Sequence, residues 1–190
     1  MSDVDAVLLA GGAARRLGGI AKPELVVGGR RLVDVAVAAV GSAGRIVLVG
    51  PDPGGLQGVG VVHEEPVGAG PVAAIAAGLA AVADTSATYL VVLACDLPYV
   101  HAGTIVLLQR EIGERDVALL VDATGRDQPL IALWRREALS ASLADADPAG
   151  RSVRSLLRSR AVARATDDTA RPAWYDCDTQ AELDEARRQL

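Results

Sequence analysis

Short, uninterrupted apolar runs alternate along this chain with segments whose apolar positions recur every three or four residues. Breaks of Gly, Pro and Asp separate the two kinds. Val4–Ala10 is an apolar run closed by glycines and predicts a buried strand. Arg45–Gly50, Gly60–His63, Val117–Val121, Pro129–Trp134 and Ala161–Ala165 predict further strands, and Thr88–Ala94, uncharged and rich in β-branched residues, is the clearest of them. Helical spacing covers Leu32–Ser42, Ala102–Ile112, Arg135–Leu143 and Ser152–Arg160. A helix from Pro71 to about Ala83 fits as well, because proline lacks an N–H that the first turn leaves unpaired anyway. Thr179–Leu190 predicts a C-terminal amphipathic helix with Thr179 as its N-cap. Gly11–Ala21 and the Pro-, Asp- and Gly-bearing Pro51–Gly58 are loops.

Alternating strands and helices predict an α/β fold, a mostly parallel sheet with helices on both faces. There is no internal repeat and no long linker, so residues 1–190 are expected to form a single domain. In such sheets ligands sit at the carboxyl ends of the strands. Two of those ends carry unusual chemistry: Gly11-Gly12 after the first strand, and Asp96 after Thr88–Ala94.

Composition narrows the classes. At 51% hydrophobic and 23% charged residues, the chain can bury a core and is not disordered. A net charge of −5 and 3% aromatics argue against a nucleic-acid partner, which calls for a basic face and stacking rings. Of the 19 basic residues only Lys22 is lysine, the rest being arginine. Cys95 and Cys177 form neither a CxxC pair nor a disulfide framework, and the acidic N-terminus lacks the basic region of a signal peptide, so a cytoplasmic location is expected. The long uncharged run Val67–Ala83 is broken by Gly68, Gly70, Pro71 and Gly78, and no membrane role is expected.

The candidate chemistry starts in the loop Leu9-Ala10-Gly11-Gly12-Ala13-Ala14-Arg15-Arg16-Leu17-Gly18-Gly19-Ile20-Ala21-Lys22-Pro23. Glycines after a strand let backbone N–H groups approach an anion, and Arg and Lys add charge. The loop lacks the Gly-Lys-Ser/Thr of a P-loop and the spacing of GxGxxG, and its composition also suits an ordinary glycine-rich surface loop.

The same residues resemble the signature LAGGxSxRMGxxK of the molybdenum cofactor guanylyltransferase (MobA-like) family of nucleotidyltransferases, through Leu9-Ala10-Gly11-Gly12, Arg16, Leu17-Gly18 and Lys22. Five further stretches resemble that family in the same order: Gly70-Pro71-Val72-Ala73-Ala74-Ile75, Cys95-Asp96-Leu97-Pro98-Tyr99, Gln128-Pro129-Leu130, Gly150 to Leu157, and Asp176-Cys177-Asp178-Thr179-Gln180-Ala181-Glu182-Leu183. The resemblance implies a Rossmann-like three-layer sandwich of the nucleotide-diphospho-sugar transferase type. It also implies transfer of GMP from GTP to molybdopterin, with pyrophosphate released. Such a transfer needs no protein nucleophile; positioning and charge neutralisation suffice.

The resemblance assigns Arg16, Lys22 and Asp96 to catalysis. It assigns nucleotide binding to Leu9, Ala10, Gly11, Gly12, Lys22, Glu65, Gly70, Pro71 and Asp96, with Glu64 sharing the acidic position. Asp96 and Asp178 are the expected ligands of a Mg²⁺ cofactor, a hard ion suited to one or two carboxylates plus phosphate oxygens. Arg151 and Arg154 either face a phosphate-bearing pterin or lie on a solvated helix face. The family's LAGG opening accompanies guanine. GTP and molybdopterin are thus the expected substrates, with transient contact to proteins that deliver or accept the cofactor. Three departures stand out: Ala21 where the family has Asp, Asp176 and Asp178 where it has Asn, and Ala74 where it has Gly. They leave open a CTP-dependent or other-acceptor transferase of this fold, and a non-catalytic nucleotide- or pterin-binding module.

Overall fold

The structure is a computed structural model that describes residues 3–11, 21–144 and 148–190. Its elements run β1 (Val4–Leu9), β2 (Val26–Val27), β3 (Arg30–Arg31), α1 (Leu32–Ala39), β4 (Ile46–Val49), β5 (Val59–Val62), α2 (Pro71–Ala81), β6 (Tyr89–Ala94), α3 (Ala102–Ile112), β7 (Val117–Val121), β8 (Asp127–Arg135), α4 (Arg136–Ala144), β9 (Val162–Thr166) and α5 (Gln180–Gln189). Seven strands form one sheet in the order β5-β4-β1-β6-β8-β7-β9. All neighbours in it are parallel except β8, which runs against both β6 and β7.

Every residue of β1 is buried, which is why its sequence is a run rather than an alternation. Successive residues feed two cores. Ala6 and Leu8 join Leu48, Val91 and Leu93 beneath α1 and α3. Val7 and Leu9 join Val47, Val49, Leu90 and Val92 beneath α2, with Trp134 and Leu139 of the α4 side. The result is the expected three-layer α/β sandwich. A third, smaller core of Leu25, Val27, Leu32, Tyr99, Cys177 and Leu183 seats α5 against the β2–β3 hairpin. Among the described residues no helix is long and apolar enough to cross a membrane.

One local expectation is corrected, and one element has no counterpart in the sequence pattern. Ser152–Arg160 is not an α-helix; only Val153–Leu157 is helical, as a 3-10 turn held by bonds such as Ser155 N–H to Ser152 O at 2.8 Å. Only Val153 and Leu156 of that turn are buried, too narrow a stripe to hold a longer helix, and Ser159 ends the segment with φ +58°. The β2–β3 hairpin lies in a stretch to which the hydrophobic pattern assigns no element. Its two-residue strands are too short for periodicity, and its signal was Gly28-Gly29, at φ +57° and +77°, which close the turn. Thr179 caps α5 as expected: its Oγ1 accepts from Glu182 N–H at 3.3 Å while Glu182 Oε2 accepts from Thr179 N–H at 2.7 Å.

One charge lies inside β1. Asp5, 1% exposed, accepts from Arg45 N–H at 2.9 Å, from Thr85 Oγ1 and from Arg136 Nη2 at 2.6 Å. Arg136 also donates to Ala87 O at 2.7 Å and Val82 O at 3.0 Å. The pair is therefore paired and fully bonded, the condition under which a buried charge is tolerated. It ties the start of β1 to the end of α2 and the start of α4, at the end of the sheet away from the carboxyl termini of β1 and β6.

Candidate active site

The register of β1 and β6 sets the site. Leu9 pairs with Ala94 as the last matched residues of the two parallel strands. Gly11 and Asp96, each two residues further on, therefore emerge side by side at the carboxyl edge. Cys95 N–H donates to Leu9 O at 3.1 Å and Ala10 N–H to Val49 O at 2.9 Å, which extends the sheet one residue beyond each strand. Gly50, at the end of β4, takes φ +133°, and a Cβ there would lie 2.7 Å from Gly11 N and 2.9 Å from Ala10 C. Only glycine lets these two backbones approach so closely.

The neighbouring end of β5 supplies a carboxylate. Glu64 is 4% exposed, accepts from Gly68 N–H at 3.0 Å, and holds Oε1 3.8 Å from where a Cβ of Gly11 would stand. Glu65 is exposed. Gly70 begins α2 with φ +101°, a conformation suited to glycine, and Pro71 follows as the first helical residue. The site thus has an apolar floor, a glycine edge and a buried acid.

Lys22 reaches this edge from a 3-10 turn, Lys22–Glu24, anchored by Pro23 and by the buried Leu25. Its Nζ lies 3.6 Å from Asp96 Oδ2 and donates to Asp178 Oδ1. Asp178 is brought there because Cys177 N–H donates to Asp96 O at 3.2 Å while the Cys177 side chain is buried in the third core. Burial works against the Lys22 ammonium, but the hydrogen bond to Asp178 and the charges of Asp96, Asp178 and Asp176 outweigh it and hold its pKa above the ordinary lysine value. Asp96, with a quarter of its side chain exposed at 25%, is less open to solvent than a free strand end suggests. Desolvation pushes its pKa up, Lys22 opposes this and Asp178 adds to it. Asp176 still reaches solvent, yet it is pushed up to about 6, first by loss of water in the cleft and then by Asp178 and Asp96.

Three carboxylates around one ammonium leave negative charge uncompensated, which is what a divalent cation would neutralise. Among the described residues no three His, Cys, Asp or Glu side chains form a ready-made metal cage. Asp96 and Asp178, converging from separate segments on one point, nonetheless fit Mg²⁺, which takes one or two carboxylates and draws its other ligands from water and phosphate. The cysteines offer no alternative chemistry. Both are free and buried, burial pushes the Cys95 thiol up, and Cys177 is pushed up to about 12, so neither supplies a thiolate.

Beside Asp96 opens a cavity of about 900 Å³, bounded by Pro71, the 126–131 segment, Gly150 to Arg154, Trp174, Asp176 and Asp178. It joins five of the six sequence motifs in one place. Arg151 donates to Ser142 O at 3.4 Å and to Ser155 Oγ at 3.3 Å, whereas Arg154 is exposed and makes a long contact, 3.4 Å, to Asp127 O. Of the residues singled out in the sequence, Leu9, Ala10, Gly11, Lys22, Gly70, Pro71, Asp96 and Asp178 are placed around this edge. Glu64 rather than Glu65 is the acid turned inward, and Gly12 and Arg16 lie outside the described residues. Gly50 and Trp174 were not singled out. Gly50 follows a strand, as Gly11 does, and that was its available signal.

Known proteins show similarity over the same span. The family model of the MobA-like NTP transferase domain matches residues 6–169. The molybdenum cofactor guanylyltransferase of Acidiphilium cryptum is 34% identical over 97% of this chain and 94% of its own. The crystal structure of molybdopterin-guanine dinucleotide biosynthesis protein A from Archaeoglobus fulgidus superposes with a TM-score of 0.74 at 21% identity, covering 97% of each chain. The 2-C-methyl-D-erythritol 4-phosphate cytidylyltransferase of Thermus thermophilus superposes with a TM-score of 0.70 at 17% identity, also over 97% of each chain. The fold is therefore shared with a cytidylyltransferase, and fold alone does not choose the base.

Proposed function

This chain belongs to the MobA-like NTP transferase family, and from that premise we propose that it transfers GMP from MgGTP to molybdopterin, yielding the guanine dinucleotide cofactor and pyrophosphate. The observation that carries the reading is the convergence of Lys22, Asp96 and Asp178 just beyond the paired ends of β1 and β6. A phosphate oxygen of the acceptor bonds to the α-phosphorus of GTP, the bond from that phosphorus to the bridging oxygen breaks, and pyrophosphate leaves with the electron pair. Nothing in this displacement requires a nucleophile from the chain.

The residues have separate tasks. Leu9, Ala10 and Gly11 at the end of β1, with Gly70 and Pro71 at the start of α2, make up the nucleoside and phosphate cradle, to which the signature motif adds Gly12. Glu64 beside Gly11 is the acid positioned for polar groups of the nucleoside. Lys22 and Arg16 supply fixed positive charge for the phosphates. A Mg²⁺ held by Asp96 and Asp178 would neutralise phosphate oxygens as charge develops on them. The cavity beside Asp96 takes the acceptor, so both substrates meet at the aspartate. The GTP assignment follows from the LAGG loop and the Gly70-Pro71 junction.

Incubation with MgGTP and molybdenum-loaded molybdopterin tests the proposal: guanine dinucleotide and pyrophosphate are expected in equal amounts. No product from folded protein overturns it. Thermal shifts with GTP, CTP, UTP and ATP test the base. A ligand at 100 times its dissociation constant adds about 2.7 kcal/mol, and GTP is expected to give the largest shift.

A further inference from the structure

We propose that Trp174 is the specificity-determining wall of the acceptor cavity, stacking on the planar ring of a heteroaromatic acceptor that carries a phosphate. The inference rests on the nucleotidyl-transfer reading of the neighbouring edge and adds the residue that selects the acceptor.

Aromatic rings are scarce in this chain, which has two Trp, three Tyr and no Phe. The other four have structural partners. Trp134 is 1% exposed inside the sheet core. Tyr99 and Tyr175 pack on each other with ring centroids 5.5 Å apart. Tyr89 lies under the Arg135 guanidinium at 5.3 Å. Trp174 alone among them lines the cavity of about 900 Å³, and the apolar residues around it there, Leu97, Pro129, Leu130 and Ile131, are not aromatic.

Trp174 also packs partly against the main core, so the side chain that lines the cavity is anchored and little rotamer freedom is lost on stacking. Its indole N–H has no partner among the described residues and stays available to a ring heteroatom. The cavity's charges are divided. Asp96, Asp176 and Asp178 stand where the metal and the reacting phosphates belong. Arg126 and Arg154, both exposed, add two guanidiniums to the lining for an anionic substituent. A flat ring with an anionic arm matches this arrangement, since two π-faces stack in full contact while the guanidiniums take the charge.

The test uses the full chain and the substitutions Trp174→Ala, Trp174→Leu and Trp174→Phe, with pterin-6-carboxylate as the binding probe in calorimetry and molybdopterin as the acceptor in steady-state transfer. Loss of a base–aromatic stack predicts that Ala and Leu weaken probe binding and raise the acceptor KM by about tenfold or more, with Phe recovering most of it. The thermal shift given by GTP is expected to match wild type in all three, which separates this role from mere core packing. Equal binding by Trp174→Leu and wild type overturns the proposal, as does a loss shared equally by GTP and probe, or a wild type that binds no pterin. Trp174-dependent pterin binding without guanine dinucleotide formation would uphold the proposal and refute the transfer reaction instead.

Discussion

Gly78 lies in the middle of α2, where alanine is the better helix former by about 0.5–1 kcal/mol. On propensity alone, Gly78→Ala stabilises the protein. The packing argues the opposite. A Cβ at Gly78 would stand 2.4 Å and 2.8 Å from the two Cγ atoms of Val7 and 3.1 Å from Val49 Cγ2. Carbon atoms rest at about 3.5–4.0 Å, so something must move by more than an ångström. Val7 and Val49 are each 0% exposed and, being β-branched, are stiff at χ1. The helix itself must then lift from the sheet. Overpacking of this kind costs about 1–3 kcal/mol, which exceeds the propensity gain. We expect a net loss of about 1–2 kcal/mol, a fall in Tm of roughly 2–8 °C for a chain of this size. Thermal unfolding followed by circular dichroism measures it. Val7→Ala removes both clashing atoms, so in the double variant the two losses should fall short of their sum. A Gly78→Ala variant as stable as wild type, or strict additivity with Val7→Ala, would refute the reasoning. Because α2 begins at Pro71, the displaced helix should also raise the KM for GTP.

Three other outcomes follow from the site and its surroundings. Asp96→Asn keeps the shape of the side chain and removes its charge; the protein should stay folded and lose most of its transfer rate, and retained turnover in MgGTP would remove Asp96 from the mechanism. Lys22→Ala should weaken GTP binding by about 1.5–3 kcal/mol through loss of a charge-assisted phosphate contact, measured by calorimetry, and an unchanged affinity would place Lys22 outside the nucleotide site. Burial raises the pKa of Asp167, but the N–H groups of Ala173 at 2.7 Å and Thr169 at 3.1 Å outweigh it and hold the carboxyl below its usual range. Its stabilisation is then complete above the unfolded value of about 3.9 and is lost as pH falls through the lower folded value, so Asp167→Ala should flatten the acid limb of Tm against pH, and an unaltered limb counts against the assignment.

The sequence made the sheet legible because its inner strands β1, β6 and β7 are buried on both faces and read as runs, and Ala102–Ile112 and Val117–Val121 match the structure residue for residue. Features that depend on distant neighbours were not legible. Asp5 sits unmarked in an apolar strand, since its partners Arg45, Thr85 and Arg136 come from elsewhere in the chain. Two adjacent glutamates gave no sign of which one turns inward; the Glu64 bond to Gly68 decides it. In the site, Asp96 and Gly11 were legible as strand ends. The capture of Lys22 by Asp178 was not, because it arises from the Cys177 bond to Asp96 and not from any local pattern.

The Lys22–Asp178 contact joins residues 156 positions apart. The glycine edge, the acidic strand end and the cradle helix are all translated well before the segment that completes them. A nascent chain halted before residue 178 can hold most of the sheet and still lack one of the two carboxylates that face Lys22. Synthesis therefore separates acquiring the fold from completing the charged cluster at its edge.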